Sequence, residues 1–276
     1  MIPAPFDYAR AESVDHAIKL LSESEDAKVI AGGHSLLPLM RLRLARPAML
    51  VDISRIGDLG YIREDGKQIA IGALARHHDV ANSEVLQSMC PIVSYAAGQI
   101  GDPQVRHVGT IGGSCAHADP ASDMPTVLLA LDADLVVREP KGKSRTVKAA
   151  GFFKGLFEPD LAPNEVLAEI RVPKTAGRGW SYIKFHRRAQ DWAVVGVAAL
   201  AGDGGGPAVA LTNMRERPLR ATAVEEALAG GADPATAAQR ADEGTSPPSD
   251  TFASAEYRRE LSKVLVRRAL EEAMSR

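Results

Sequence analysis

Two glycine turns constrain this 276-residue chain more than any other feature: Gly32-Gly33-His34-Ser35, and Thr110-Ile111-Gly112-Gly113-Ser114. Each follows a short strand or loop. Paired glycines let backbone approach a ligand with no Cβ in the way. Successive backbone N–H groups in such a turn form an anion-binding concavity, and a helix starting behind it adds partial positive charge. Two such turns could grip the two phosphates of a dinucleotide. Alone, each reads first as an ordinary tight turn. Neither fits G-x-G-x-x-G or the P-loop pattern, so a Rossmann site is not indicated.

The segments around the turns alternate between helical and strand-like. Ser13 is a good N-cap, followed by Val14, Ala17, Ile18 and Leu21 at helical spacing. Val29-Ile30-Ala31 reads as a buried strand, Leu36 to Met40 as a short helix and Met49 to Ile53 as a strand. A second unit opens near Gly57. It has a strand at 68–72, helices at 77–82 and 91–100, and a helix from Ser122 through Leu131. Strands follow at 135–137, 146–147 and 165–172, the first two joined by Lys141-Gly142-Lys143. A third unit begins near Arg178, with strands at 180–185, 194–200 and 209–211. Gly202 to Gly206 reads as a hairpin loop between the last two. Helices are expected at 222–229 and 254–274, the latter burying a face of Tyr257, Leu261, Val264 and Leu265 with Arg268 at its edge. Residues 230–248 read as a loop or linker. The expected domains are therefore 1–56, 57–176 and 177–276.

Composition excludes several functions. Formal net charge is −2 and aromatics make up 5% of residues, so neither an electrostatic nor a stacking case for nucleic acid exists. The only cysteines are Cys90 and Cys115, too few for an iron–sulfur cluster or a cysteine-rich zinc site. Free thiols in a cytoplasmic protein are expected. Cys115 reads as a small buried hydrophobe. His77 and His78 are adjacent, so their side chains diverge and a shared metal is not expected. The N-terminus lacks the pattern of a signal peptide, and no apolar run approaches spanning length.

Ala31-Gly32-Gly33-His34-Ser35-Leu36-Leu37-Pro38 resembles the first flavin loop of the carbon monoxide dehydrogenase medium-chain family, a group that includes the flavin domain of xanthine dehydrogenase. Thr110-Ile111-Gly112-Gly113-Ser114-x-x-His117-Ala118-Asp119-Pro120-x-x-Asp123 is similar to its second loop. Ala253-Ser254-Ala255-Glu256-Tyr257-Arg258-Arg259 resembles its C-terminal domain, and the opening Pro3 to Tyr8 its usual start. The resemblance implies an α+β chain: a two-subdomain PCMH-type FAD-binding fold, then a C-terminal α+β domain of the CO dehydrogenase flavoprotein type.

The resemblance also implies site roles. Ala31, Gly32, Gly33, His34, Ser35 and Leu36 would wrap the FAD pyrophosphate from one side. Thr110, Ile111, Gly112, Gly113 and Ser114 would do so from the other. Asp123 would sit at the ribose or adenine end and Leu167 against the flavin. Lys184 would lie near the pyrimidine edge of the ring, with Asp191 and Trp192 beside it. Read from the residues alone, Asp123 is equally a first-turn helix acid, Lys184 a surface lysine, Trp192 core and His117 a structural loop histidine. Ile100 stands where xanthine-oxidising relatives carry a flavin-stacking phenylalanine.

No catalytic residue and no metal ligand are expected here. The resemblance implies a dimer of heterotrimers. A large molybdopterin subunit would oxidise substrate, and a small subunit with two [2Fe–2S] clusters would relay electrons. FAD in this chain would pass them to a quinone, oxygen or NAD. Two other readings stay open: a stand-alone oxidase of the vanillyl-alcohol oxidase type, and a flavin-free assembly protein.

Overall fold

The computed structural model describes residues 2–202 and 205–276. The N-terminal region contains β1 (Asp7–Arg10), α1 (Val14–Glu23), β2 (Ala27–Ile30), α2 (Leu36–Arg41) and β3 (Met49–Asp52). The three strands form a parallel sheet in the order β1-β3-β2. Ser13 caps α1 by accepting from the His16 N–H at 3.1 Å. Ala17, Ile18 and Leu21 are buried on the face the spacing indicated.

The middle region runs β4 (Ile62–Asp65), β5 (Gln68–Gly72), α3 (His77–Asn82), α4 (Glu84–Met89), α5 (Pro91–Gly98), α6 (Pro103–Val108), α7 (Ile111–His117) and α8 (Asp123–Ala130). It continues with β6 (Asp134–Arg138), β7 (Ser144–Lys148), α9 (Ala149–Phe152), β8 (Phe153–Gly155), β9 (Glu158–Pro159) and β10 (Val166–Pro173). Five strands pair antiparallel in the order β4-β5-β10-β6-β7. The second glycine turn expected at 110–114 is the start of α7. Thr110 is its N-cap, accepting from the Gly113 N–H at 3.1 Å. Short α4 and α6 were not visible as periodic runs, because six residues are under two turns.

The C-terminal region contains β11 (Trp180–Phe185), β12 (Val195–Leu200), β13 (Ala208–Thr212), β14 (Leu219–Arg220), α10 (Thr222–Ala229), α11 (Pro234–Ala238) and α12 (Ala255–Ser275). Its sheet is an antiparallel meander. The loop expected at Gly202 to Gly206 includes Asp203 and Gly204, which lie outside the described residues. The sheet is covered on both faces. Ala198 and Leu200 join the core around α8 and α5, while Val195, Val197 and Ala199 join the core under α12. Burial on both sides explains the unbroken apolar run of β12.

Two expectations need correction. Residues 230–248 are not simply a linker: α11 lies there, and Ala237, Ala238 and Ala241 are buried in the C-terminal core. The expected face of α12 is also displaced. Tyr257 and Val264 are exposed, whereas Arg258, Ser262, Leu265, Val266, Ala269, Leu270 and Ala273 are buried. Arginine at a core position hid the true stripe.

Candidate functional site

Between β2 and α2 the chain turns through Ala31 to Ser35. Gly33 has φ of 72°, a left-handed conformation that costs glycine little. A Cβ on Gly32 would collide with the Val108 carbonyl oxygen and come 2.9 Å from Gly109 Cα. The first loop therefore lies directly against the chain entering the second. Among the described residues, the N–H groups of Gly32, Gly33, His34, Ser35 and Leu36 find no acceptor within the protein. The internal ladder begins at Leu37, whose N–H bonds the Gly33 carbonyl at 2.9 Å. Five consecutive unclaimed amides, backed by α2, make a concavity suited to an anion.

The second loop contributes differently, and this corrects its expected amide cradle. The Ile111 N–H is held by Ala75 O at 3.0 Å and the Gly112 N–H by Ala73 O at 2.9 Å. Gly113 N–H is held by Thr110 Oγ1, and Ser114 N–H by Thr110 O at 3.0 Å. Gly112 is small because a Cβ there would meet Ala73 Cβ at 2.5 Å. Gly113 has only the Thr110 hydroxyl nearby and otherwise opens onto the cavity. What remains on offer is bare Gly113 backbone with the Ser114 and Thr110 side chains.

The two loops border one cavity of about 630 Å³, a size typical of cofactor pockets. Ala31, Gly32, Gly33, His34, Ser35, Leu36, Thr110, Gly112, Gly113, Ser114, Asp123, Leu167, Lys184, Asp191 and Trp192 all line it. Ile111 does not: its side chain is fully buried in the core beneath α7. Ile100 lines the cavity too. Leu167 supplies apolar wall from β10, beside a bulge in its pairing with β6. Asp191 sits in the loop between β11 and β12 and accepts from the Arg188 Nε at 3.0 Å. Trp192 next to it is 56% exposed, so it is not core.

Alternation along β11 decides what faces this space. Ile183 and Phe185 pack toward α12, while Tyr182 and Lys184 point toward α8. The Lys184 ammonium donates to Asp123 Oδ2 at 2.9 Å and to the Gln99 carbonyl at 3.1 Å. The Tyr182 hydroxyl donates to Asp123 Oδ1 at 2.5 Å. Asp123 and Lys184 are each only 4% exposed. Burial pushes the Asp123 carboxyl up, against the pull of Lys184 and the Tyr182 hydroxyl. The pair also revises their expected placement. Residues in direct contact at 2.9 Å do not fit the expectation that one serves the ribose or adenine end and the other the ring of an extended dinucleotide.

Several lining residues escaped the sequence reading. His77 on α3 is buried, and its Nδ1 has no hydrogen-bond partner among the described residues. Burial first, then Arg106 and His34, depress its imidazole to about 4, so it is neutral. Phe157 lines the cavity, its ring tilted against that of His117 with centroids 4.9 Å apart. Burial lowers the His117 imidazole as well. Spacing alone gives no signal for residues brought in from so far along the chain. Tyr182 was findable, lying two residues from Lys184 on one strand. Cys90 and Cys115 are free thiols, and Cys115 is buried as expected; Cys90 is buried too. Among the described residues no cluster of three or more His, Cys, Asp or Glu could hold a metal, and no helix is long and apolar enough to cross a membrane.

Residues 4–175 match the family described as the FAD binding domain in molybdopterin dehydrogenase, and residues 180–273 match the CO dehydrogenase flavoprotein C-terminal domain. The chain belongs to the FAD-binding subunits of the molybdopterin dehydrogenases. It is similar to the carbon monoxide dehydrogenase medium chain of Hydrogenophaga pseudoflava, with 41% identity covering 100% of this chain and 99% of that one. It is also similar to the glyceraldehyde dehydrogenase medium chain of Sulfolobus acidocaldarius, at 39% identity over 99% of each. A solved carbon monoxide dehydrogenase from Hydrogenophaga pseudoflava, lacking the Mo-pyranopterin moiety of its cofactor, superposes with a TM-score of 0.96 at 43% identity, covering 100% of this chain and 99% of that one. The expected family and α+β architecture thus hold over the whole length. As a member of this family the chain is an FAD-dependent oxidoreductase subunit. The site fits FAD physically: unclaimed amides suit its phosphates, and the Leu167 wall suits a flat apolar ring.

Proposed function

We propose that this chain is the electron outlet of a three-subunit molybdenum hydroxylase of the carbon monoxide dehydrogenase type. One observation carries the reading: five unclaimed amides at residues 32–36 face a cavity whose other walls are Gly113, Leu167 and the Lys184–Asp123 pair. Bound FAD supplies the redox chemistry, taking up electrons and passing them to an external acceptor. The first-loop amides and the Ser35 hydroxyl hold the phosphates. Ser35 makes no capping bond in α2, which leaves its hydroxyl available. Gly113, Ser114 and Thr110 bound the opposite side. Lys184 sits by the ring, with Asp123 at that same end, and Trp192 and Asp191 flank the mouth.

The partners in this reading are a large molybdopterin subunit and a small subunit with [2Fe–2S] clusters, assembled as a dimer of heterotrimers in the cytoplasm. The working partition of this chain is 1–56, 57–176 and 177–276. Carbon monoxide is the substrate in the names of two relatives at 41% and 40% identity, and glyceraldehyde in that of a third at 39%. The test is a purified complex carrying Gly33→Val in this chain. With carbon monoxide as reductant, its clusters should still be reduced while turnover with an external acceptor stops. Turnover at the wild-type rate without FAD would contradict the outlet role. Cluster reduction by glyceraldehyde and not by carbon monoxide would reassign the substrate.

A further inference from the structure

Tyr182 is buried behind the cavity and does not line it. Its hydroxyl nevertheless donates to a group that does. Asp123 has two carboxylate oxygens and two close side-chain donors: Tyr182 on Oδ1 and Lys184 on Oδ2. The contact also joins the two family domains, since Asp123 opens α8 and Tyr182 lies on β11. Gly196 leaves room behind the phenol. A Cβ there would lie 3.2 Å from the Tyr182 hydroxyl and 2.7 Å from Thr212 Oγ1. Thr212 in turn donates to Thr126 at 2.8 Å, a second buried polar link between the same domains.

We propose that Tyr182 is a positioning residue that sets the redox potential of the flavin, by holding Asp123 as a carboxylate so that the Asp123–Lys184 pair presents no net charge to the ring. The inference rests on the FAD reading above. Without the phenol, Oδ1 would face protein with no donor. A buried carboxylate in that state takes up a proton more readily. The Lys184 charge would then stand unbalanced beside the flavin, and a nearby cation favours an anionic reduced ring. The groups facing Asp123 are Lys184 and Tyr182 from β11 and His186 just beyond it. Thr126 and Thr212 close the network with uncharged hydroxyls.

The test is spectroelectrochemistry of the full chain loaded with FAD, from pH 6 to 9, comparing wild type with Tyr182→Phe. Both are also measured in a His186→Gln background, which removes that imidazole. Tyr182→Phe is expected to bind FAD one to one. At pH 6 it should favour the reduced flavin about tenfold over wild type, which is about 30 mV for a two-electron couple. The difference should shrink toward pH 9. A role in packing alone would lower the melting temperature and leave the potential where it was. A loaded variant with wild-type potential at every pH overturns the role of Tyr182. A wild-type chain that takes up no FAD overturns both this inference and the FAD reading. Should Tyr182→Phe fail to hold flavin, 3-fluorotyrosine at position 182 keeps the shape and makes the phenol a stronger donor. It should keep the wild-type potential at pH 6 and delay the rise in potential on further acidification, and a rise at the same pH as wild type overturns the inference.

Discussion

Gly32, Gly33, Gly112 and Gly113 are alike in sequence and different in physics. Gly33 supplies a left-handed turn, Gly32 clears the Val108 carbonyl, Gly112 clears Ala73 and Gly113 faces the cavity. Their substitutions should separate accordingly. Gly112→Ala is expected to destabilise the flavin-free chain by about 1–3 kcal/mol, because backbone must move. Gly113→Val should cost less stability and weaken FAD at least tenfold. Denaturation and flavin titration of both variants check this, and equal effects on FAD would contradict it. The sequence made the glycine pairs conspicuous. It could not show that the amides of 111 and 112 are claimed by Ala75 and Ala73, since those acceptors lie more than thirty residues away.

His77 gives a pH prediction at the same scale. Its imidazole titrates near 6.5 when unfolded and about 4 when folded. The unfolded chain therefore binds the proton first, and stability present above pH 6.5 is lost as pH falls toward 4. The shift corresponds to roughly 3 kcal/mol. Urea denaturation of the flavin-free chain at pH 7 and 4.5 should show this loss, and His77→Phe should reduce it. An unchanged loss in His77→Phe would assign it to other groups.

Among the elements, long or strongly patterned ones were legible and short ones were not. α1 announced itself through Ser13 and its apolar spacing, and β12 through an unbroken apolar run. α11 was hidden in an Ala- and Gly-rich stretch whose burial depends on packing against α12. On α12 itself, Arg258 occupies the buried face at 1% exposure. It donates to the Val194 carbonyl and, at 2.7 Å, to Asp250. Val194 immediately precedes β12, two residues after Trp192, and the Asn213 side-chain amide donates to Ala193 O at 2.8 Å. The C-terminal signature around Tyr257-Arg258 thus anchors the loop that carries Asp191 and Trp192 to the cavity. Arg258→Ala should cost about 2–4 kcal/mol by leaving buried partners unpaired. Tyr257→Ala, on the exposed side, should fall within about 0.5 kcal/mol of wild type. Chemical denaturation of the two variants checks the pair, and equal losses would contradict the assigned face.

For the whole molecule, three sheets with their helices surround one cavity. The parallel sheet delivers the first loop, the five-stranded sheet Leu167, and the meander Lys184. The order of motifs along the chain was enough to expect these parts in one site. Their mutual geometry was not: it puts Asp123 and Lys184 in direct contact. The central claim is that amides 32–36 hold the phosphates of FAD. Its most direct test is equilibrium binding of FAD and riboflavin to the flavin-stripped chain, wild type and Gly33→Val. The account predicts one FAD per wild-type chain, bound at least a hundredfold tighter than riboflavin, and loss of that preference in Gly33→Val. Equal affinity for FAD and riboflavin in the wild-type chain would contradict it.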